Sequence, residues 1–256
     1  MTDTKNEGWY VISLRASGDH QALRRAAARR GARLLALSPW RIQARADEAT
    51  RTALTSALQA ERVLFTSPAA VDAAAGLETL TARRGQQWLA VGSGTAQALH
   101  RRGITDVVHP SRMDSEGLLA MPELQHLEGS QLGFVSAPDG RNLLAPSLVA
   151  RGAHVLRADV YARHDIPLLS TALNKLQNLA APACVLISSS GALDRVLQQL
   201  PAPARAALLA RPAVVASERL AEHARVSGFR EVLTAAGPRP VQLLDAAATR
   251  TRAAIR

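Results

Sequence analysis

Short, solid runs of apolar residues recur along the chain, each followed by a turn of glycine, serine, threonine or aspartate and then by a longer stretch with helical spacing. Solid apolar runs of this length mark strands buried on both faces, as in parallel sheets, and the stretches between them predict helices that cover those faces.

Two kinds of unit make up this pattern, and each occurs twice. The first kind predicts a strand over 9–14, a turn at Ser17, Gly18 and Asp19, a helix over 21–30 stopped by Gly31, and a strand over 33–37. It returns as a strand over 132–135, a turn at Pro138, Asp139 and Gly140, a helix over 141–151 stopped by Gly152, and a strand over 154–161. The shared endings, Ala-Arg-Arg-Gly-Ala at 28–32 and Ala-Arg-Gly-Ala at 150–153, align the copies.

The second kind opens with a strand over 62–65 that runs into Thr66 and Ser67, and a helix over 68–80 follows. Next come a strand over 88–91, a turn at Gly92, Ser93 and Gly94, a helix over 95–102 closed by Gly103, and a strand over 106–109. Its counterpart has strands over 184–187, 213–216 and 231–234 and helices over 191–200 and from Ser217 to Ser227. The two copies lead into closing helices near 115–120 and 240–247.

The fold class this predicts is α/β, with two similar domains, each a parallel sheet flanked by helices. Each half of the chain could fold alone, or outer units could pair with outer and inner with inner. Linkers carrying Pro39 and Pro167 sit where both arrangements permit a crossing.

Composition narrows the function. With 256 residues, 47% of them hydrophobic, the chain has cores to build, and with only 3% aromatics it must build them from Ala, Leu and Val. The single cysteine, Cys184, excludes an internal disulfide and lies in an apolar run, where a buried, inert thiol is expected. The N-terminus has no signal-peptide pattern, and no apolar stretch reaches membrane-spanning length, so a cytoplasmic protein is expected. The formal charge of +10, almost all of it arginine, attracts polyanions, whether nucleic acid, membrane or a polycarboxylate metabolite. Nucleic-acid binding would call for stacking aromatics, and three Trp, three Phe and two Tyr are too few to supply them.

Ligands of open parallel sheets gather beyond the carboxyl ends of the strands. The turns there offer hydroxyls, small residues and helix-start N–H groups, all suited to carboxylates. Arg15, Arg141, Arg163 and Arg219 each lie at or just after a strand end. Gly92-Ser93-Gly94 lacks both a third glycine and a Walker lysine, so no nucleotide cofactor is expected. Ser188, Ser189 and Ser190 show no nucleophile elbow, and helix capping is their expected role. The seven histidines are dispersed, and no metal site is expected. Tyr161 ends a strand just before a linker, where its phenol either donates a hydrogen bond into a cleft or packs against the hinge.

Five segments in order resemble one family. They are Val63-Leu64-Phe65-Thr66-Ser67-Pro68, Ala90-Val91-Gly92-Ser93-Gly94-Thr95-Ala96, and Ser115-Glu116-Gly117-Leu118. The fourth joins Gly140-Arg141, Arg151-Gly152-Ala153 and Val160-Tyr161, and the last is Val214-Val215-Ala216-Ser217-Glu218-Arg219-Leu220 with Gly228-Phe229. Together they resemble the uroporphyrinogen-III synthases. Two departures stand out: the first strand ends Ser13-Leu14-Arg15-Ala16 in place of the family's Thr-Arg-Pro, and Val135-Ser136-Ala137 replaces a Leu-Arg-Gly block. No arginine carries over at the second place.

The resemblance implies two domains joined by a flexible two-stranded linker, the chain crossing twice: 1–38 with 170–256, and 48–160, with linkers 39–47 and 161–169. It implies an acidic linear tetrapyrrole, hydroxymethylbilane, closed with inversion of its last ring and loss of water. No cofactor, metal, nucleic-acid partner or membrane is implied, and the protein is expected to be a monomer with a transient handover from hydroxymethylbilane synthase. Tyr161 matches a tyrosine proposed in the family as proton donor. Glu218 is a second donor candidate or a helix cap. The expected substrate-binding residues are Arg15, Thr66, Ser67, Ser93, Gly94, Thr95, Ser115, Gly140, Arg141, Ser188, Ser189, Ser217, Glu218 and Arg219. A non-catalytic two-domain sensor of an acidic metabolite is the alternative.

Overall fold

The computed structural model of the chain describes residues 8–112, 115–138 and 144–255. In chain order the elements are β1 (Tyr10–Ser13), α1 (Gln21–Ala28), β2 (Arg33–Ala36) and β3 (Trp40–Ala44). Then follow α2 (Glu48–Leu58), β4 (Arg62–Phe65), α3 (Pro68–Leu77), β5 (Gln87–Ala90), α4 (Ser93–Arg101), β6 (Val107–Val108) and α5 (Ser115–Leu119). After a 3-10 turn at Pro122–Leu124 come β7 (Gln131–Ser136), α6 (Leu144–Ala150), β8 (His154–Asp159) and β9 (Tyr161–Asp165). The chain closes with α7 (Ser170–Gln177), β10 (Ala183–Ile187), α8 (Ser190–Gln199), α9 (Ala202–Leu209), β11 (Ala213–Val215), α10 (Glu218–Val226), β12 (Val232–Thr234) and α11 (Pro240–Ile255).

Two compact units result. Unit 1 comprises Met1–Arg41 and His164–Arg256, and unit 2 comprises Ile42–Arg163. The sheet of unit 1 runs β12-β11-β10-β1-β2 and that of unit 2 runs β6-β5-β4-β7-β8, and the strands of each pair in parallel. These are one topology written twice: β10 to β12 match β4 to β6, and β1 and β2 match β7 and β8. In unit 2 the second kind of unit precedes the first along the chain. In unit 1 the order is wrapped around, so outer units pair with outer and inner with inner. β3 and β9, which carry the two crossings, form a two-stranded sheet of their own.

Burial explains the solid apolar runs. In β1, Val11 and Ile12 are neighbours, yet both are fully buried, Ile12 against Leu35, Val185 and Val196 and Val11 against Leu23, Leu186 and Leu244. In β4, Phe65 packs with Val71, Trp88 and Leu99 on one face while Leu64 packs with Leu89, Leu132 and Leu148 on the other. Phe65 and Trp88 stack with ring centroids 5.7 Å apart. Full burial of one such side chain stabilises the fold by roughly 1.5–3 kcal/mol. The helix ends read from the repeat hold as well: Gly31 and Gly152 take φ of 70° and 84°, a left-handed conformation that glycine adopts without strain.

The structure adds elements that the apolar pattern does not predict, namely α2, α7 and α9. Helix α2 is started by Asp47, whose carboxylate accepts the Thr50 backbone N–H at 2.9 Å, and it buries Thr50, Leu54 and Ala57. The single strand expected over 154–161 is two. β8 follows β7 as far as the Ser136–Asp159 pair, the Val160 N–H donates to the Ser136 carbonyl at 3.0 Å, and β9 then turns to pair with β3. Cys184 is buried and forms no disulfide, and burial pushes its thiol up in pKa. Among the described residues no helix is long and apolar enough to cross a membrane.

Candidate functional site

Among the described residues, those singled out just after β1, β4, β5, β10 and β11 follow the carboxyl ends of parallel strands and so share the carboxyl edge of their sheet. In unit 2, Thr66 and Ser67 leave β4 in consecutive positions and turn opposite ways. The Thr66 hydroxyl donates to Ser136 Oγ at 2.8 Å and approaches the Val135 carbonyl at 3.3 Å, which ties β4 to β7. Ser67 caps α3 by accepting the Ala70 N–H at 3.1 Å, and the same Oγ lies 3.1 Å from the hydroxyl of Tyr161. Tyr161 is only 2% exposed and belongs to the core around Phe65 and Val135. The Arg163 guanidinium lies 5.8 Å from its ring centroid.

At the next strand end, Gly92 is the N-cap of α4 in extended conformation, with Ser93 half-buried, Gly94 exposed and Thr95 buried. The first N–H groups to bond within this helix are those of Thr95 and Ala96, both to the Gly92 carbonyl. Ser93 and Gly94 precede them in the first turn, before the intrahelical bonds begin. A β-carbon on Gly94 would lie 3.9 Å from Pro68 Cγ, so the starts of α3 and α4 are neighbours.

Beyond β6, Arg112 pairs with Glu116 at the start of α5, beside a cavity of about 330 Å³ lined by Pro110, Ser111, Gly117 and Met121. Ser115 begins α5, and Gly140 and Arg141 lie outside the described residues. The strand ends alone do not point to Arg157. Its Nε meets the Asp159 carboxylate at 3.0 Å, its Nη2 donates to the Ala137 carbonyl at 3.1 Å, and its guanidinium lies 5.7 Å from the Phe134 ring centroid. It braces Ala137 and Pro138, the two residues that follow β7.

In unit 1, Arg15 follows β1 and is held by Asp19, Nη2 to Oδ2 at 2.6 Å with Nε donating at 2.8 Å. Next to it His20 is buried at the start of α1, its Nε2 2.7 Å from Ser38 Oγ. Burial pushes its pKa below the usual value. Ser188 and Ser189 are exposed beyond β10, and Ser217, Glu218 and Arg219 are exposed beyond β11. Ser189 and Ser217 occupy the N-cap positions of α8 and α10, but neither hydroxyl makes a capping bond. The capping role expected for the serines after β10 is therefore corrected: both helix starts leave their first N–H groups open, as an acceptor ligand would need. The two turns follow the neighbouring parallel strands β10 and β11, which pair as far as Ile187 and Val215. Behind them His223 Nε2 meets Asp194 Oδ1 at 2.7 Å and joins α10 to α8.

Each carboxyl edge therefore offers helix starts, hydroxyls and, in unit 1, arginine, a chemistry for carboxylates. Among the described residues no three metal-ligating side chains converge. A family model described as uroporphyrinogen-III synthase HemD matches residues 21–245. The chain belongs to the uroporphyrinogen-III synthase family. Uroporphyrinogen-III synthase of Salmonella typhimurium is 32% identical over 161 residues, 60% of this chain and 65% of that protein. The Escherichia coli uroporphyrinogen-III synthase is 31% identical over 150 residues, 58% of this chain and 61% of that protein. The chain thus spans under two thirds of either relative's length in these matches. Among solved structures, a mutant uroporphyrinogen-III synthase from the extreme thermophile Thermus thermophilus superposes with a TM-score of 0.61 at 18% identity, covering 96% of this chain and 99% of that one. The Helicobacter pylori uroporphyrinogen-III synthetase gives 0.60 at 15% identity over the same shares. At these identities the likeness establishes the uroporphyrinogen-III synthase fold.

Proposed function

We propose that the chain is a working uroporphyrinogen-III synthase. On this reading it takes hydroxymethylbilane, expels the terminal hydroxyl, and lets the last pyrrole attack the resulting azafulvene through its substituted carbon. The spiro intermediate fragments and recloses with that ring inverted, and water is the net loss. The observation that carries the reading is the pair of uncapped helix starts in unit 1, α8 and α10, in a chain whose family model spans residues 21–245.

The physical task is positioning. A flexible polyanion must be held so that the substituted carbon, not the free one, meets the electrophile. Charge-assisted hydrogen bonds contribute roughly 1.5–3 kcal/mol each, so several carboxylates gripped at Ser188, Ser189, Ser217, Arg219, Arg15, Ser93 and Gly94 would offset the ordering entropy. Glu218 is exposed at the start of α10, where an acidic side chain complements the positive end of the helix dipole. The reading includes action as a cytoplasmic monomer that receives its substrate from hydroxymethylbilane synthase.

The test is a coupled assay with hydroxymethylbilane that separates the two uroporphyrinogen isomers. The expected result is the ring-inverted isomer in excess of what buffer produces. An isomer ratio equal to buffer alone, with tight binding of the bilane, would instead make the chain a sensor.

A further inference from the structure

We infer that Tyr161 serves turnover as an anchor and not as an acid: through Ser67 it fixes the start of β9, the second crossing strand, on the rim of unit 2. The part of this inference that concerns turnover rests on the proposed synthase activity.

A general acid must come within hydrogen-bond reach of the departing group. Tyr161 is 2% exposed, its ring is packed in the core with Phe65, Val135 and Val160, and its hydroxyl lies against Ser67 Oγ at 3.1 Å. That oxygen is itself held, because it accepts the Ala70 N–H at the start of α3. The contact joins residues 94 positions apart and ends a connected series. Ser136 at the end of β7 meets Thr66, the next residue Ser67 caps α3, and Ser67 meets Tyr161 at the first position of β9. Two consecutive hydroxyls of one turn thereby hold the ends of β4 and β7, the start of α3 and the start of β9 in one arrangement. Their oxygens are occupied by protein, and the turn they hold borders the start of α4, where a β-carbon on Gly94 would lie 3.9 Å from Pro68 Cγ. Tyr161 acts on this rim as a positioning residue, by keeping the turn in place.

Tyr161→Phe keeps the ring and removes the hydroxyl, Ser67→Ala removes its partner, and Ser67→Thr keeps a hydroxyl there. Three readouts are compared: kcat with the share of ring-inverted product, the pH profile of kcat, and amide hydrogen exchange over residues 160–165. Tyr161→Phe and Ser67→Ala should each lower kcat by the same factor, about two- to tenfold for one hydrogen bond. The double variant should be no worse than the weaker single, the pH profile should keep its wild-type shape, exchange over 160–165 should quicken, and Ser67→Thr should restore all of these. Loss of one limb of the pH profile in Tyr161→Phe, with Ser67→Ala behaving as wild type, would make Tyr161 the acid and overturn the inference. So would unchanged exchange in both single variants. If the wild-type protein forms no ring-inverted product, the proposed function fails while the exchange measurement still decides the anchor.

Discussion

Gly133 and Ala57 touch backbone to backbone: a β-carbon built on Gly133 would come within 2.0 Å of the Ala57 carbonyl oxygen. Gly133 lies inside β7, paired with Val63 of β4 and Leu156 of β8, and Ala57 is on α2. The helix therefore rests on the sheet through the missing side chain.

Gly133→Ala should push α2 off the sheet. Overpacking of this kind costs at least about 1–3 kcal/mol, and here the obstacle is backbone that cannot rotate away. Urea denaturation should show the midpoint falling with little change in slope. A midpoint equal to wild type would mean that α2 does not bear on β7.

Gly94→Ala is the contrasting case. The added carbon would find only Pro68 Cγ at 3.9 Å, an ordinary contact, and the position lies in the first turn of α4. Stability should be unchanged or rise by up to about 1 kcal/mol, because alanine replaces glycine in a helix. If the amides of this turn hold a substrate carboxylate, the methyl crowds them and KM should rise severalfold at the same stability. An unaltered KM would remove the start of α4 from substrate binding.

These two glycines also show what the sequence makes legible. β1, β4, β7 and β10 are buried on both faces, so they read as solid apolar runs, and the repeat of strand and helix follows from them. Helix α2 does not read that way because its buried stripe is Thr50, Leu54 and Ala57, a polar and a small residue around one leucine. Its clearest mark is the pairing of Asp47 with Thr50, which only the structure shows to be a cap. Helix α9 is similarly muted, since only Ala204 and Leu208 are buried. At the candidate site the strand-end turns are legible because serine, threonine and glycine cluster there. Their partners are not: Thr66 meets Ser136 and Ser67 meets Tyr161 across 70 and 94 residues, and nothing local distinguishes a hydroxyl spent on the protein from one open to ligand.

His20 should make unit 1 sensitive to mild acid. It is 8% exposed, its Nε2 is held by Ser38, and its Nδ1 has no partner among the described residues. Burial lowers its pKa from the usual 6.5. Asp19 opposes the shift, and Arg15 and Arg24 add to it. With the folded value below the unfolded one, the unfolded chain takes up the proton first as pH falls. The stabilisation is present above about pH 6.5 and is lost as pH falls through the folded value, at no more than about 1.4 kcal/mol per pH unit. His20→Gln should flatten this part of the curve in denaturation series between pH 7 and 5. Parallel curves for variant and wild type would show that His20 titrates alike in both states.

Arg15 is a rim arginine whose posture the structure fixes, and its charge can be tested apart from its structural role. Its pair with Asp19 is partly exposed on both sides, 32% and 53%, so the pair contributes at most about 1 kcal/mol to stability. Asp19 occupies one edge of the guanidinium, Nε and Nη2, and its single-oxygen contact leaves Nη1 for a second acceptor. A substrate carboxylate there would form a charge-assisted bond, and losing it should raise KM about tenfold to a hundredfold. Arg15→Gln should therefore raise KM steeply, shift the denaturation midpoint little, and reduce the salt dependence of kcat/KM, because one screened attraction is gone. Asp19→Asn should move KM in the opposite direction, since it frees the guanidinium from its resident carboxylate. If both substitutions raise KM alike, Asp19 orients Arg15 for substrate and does not compete with it. If neither changes KM, the carboxylates are held by the open starts of α8 and α10 without help from β1.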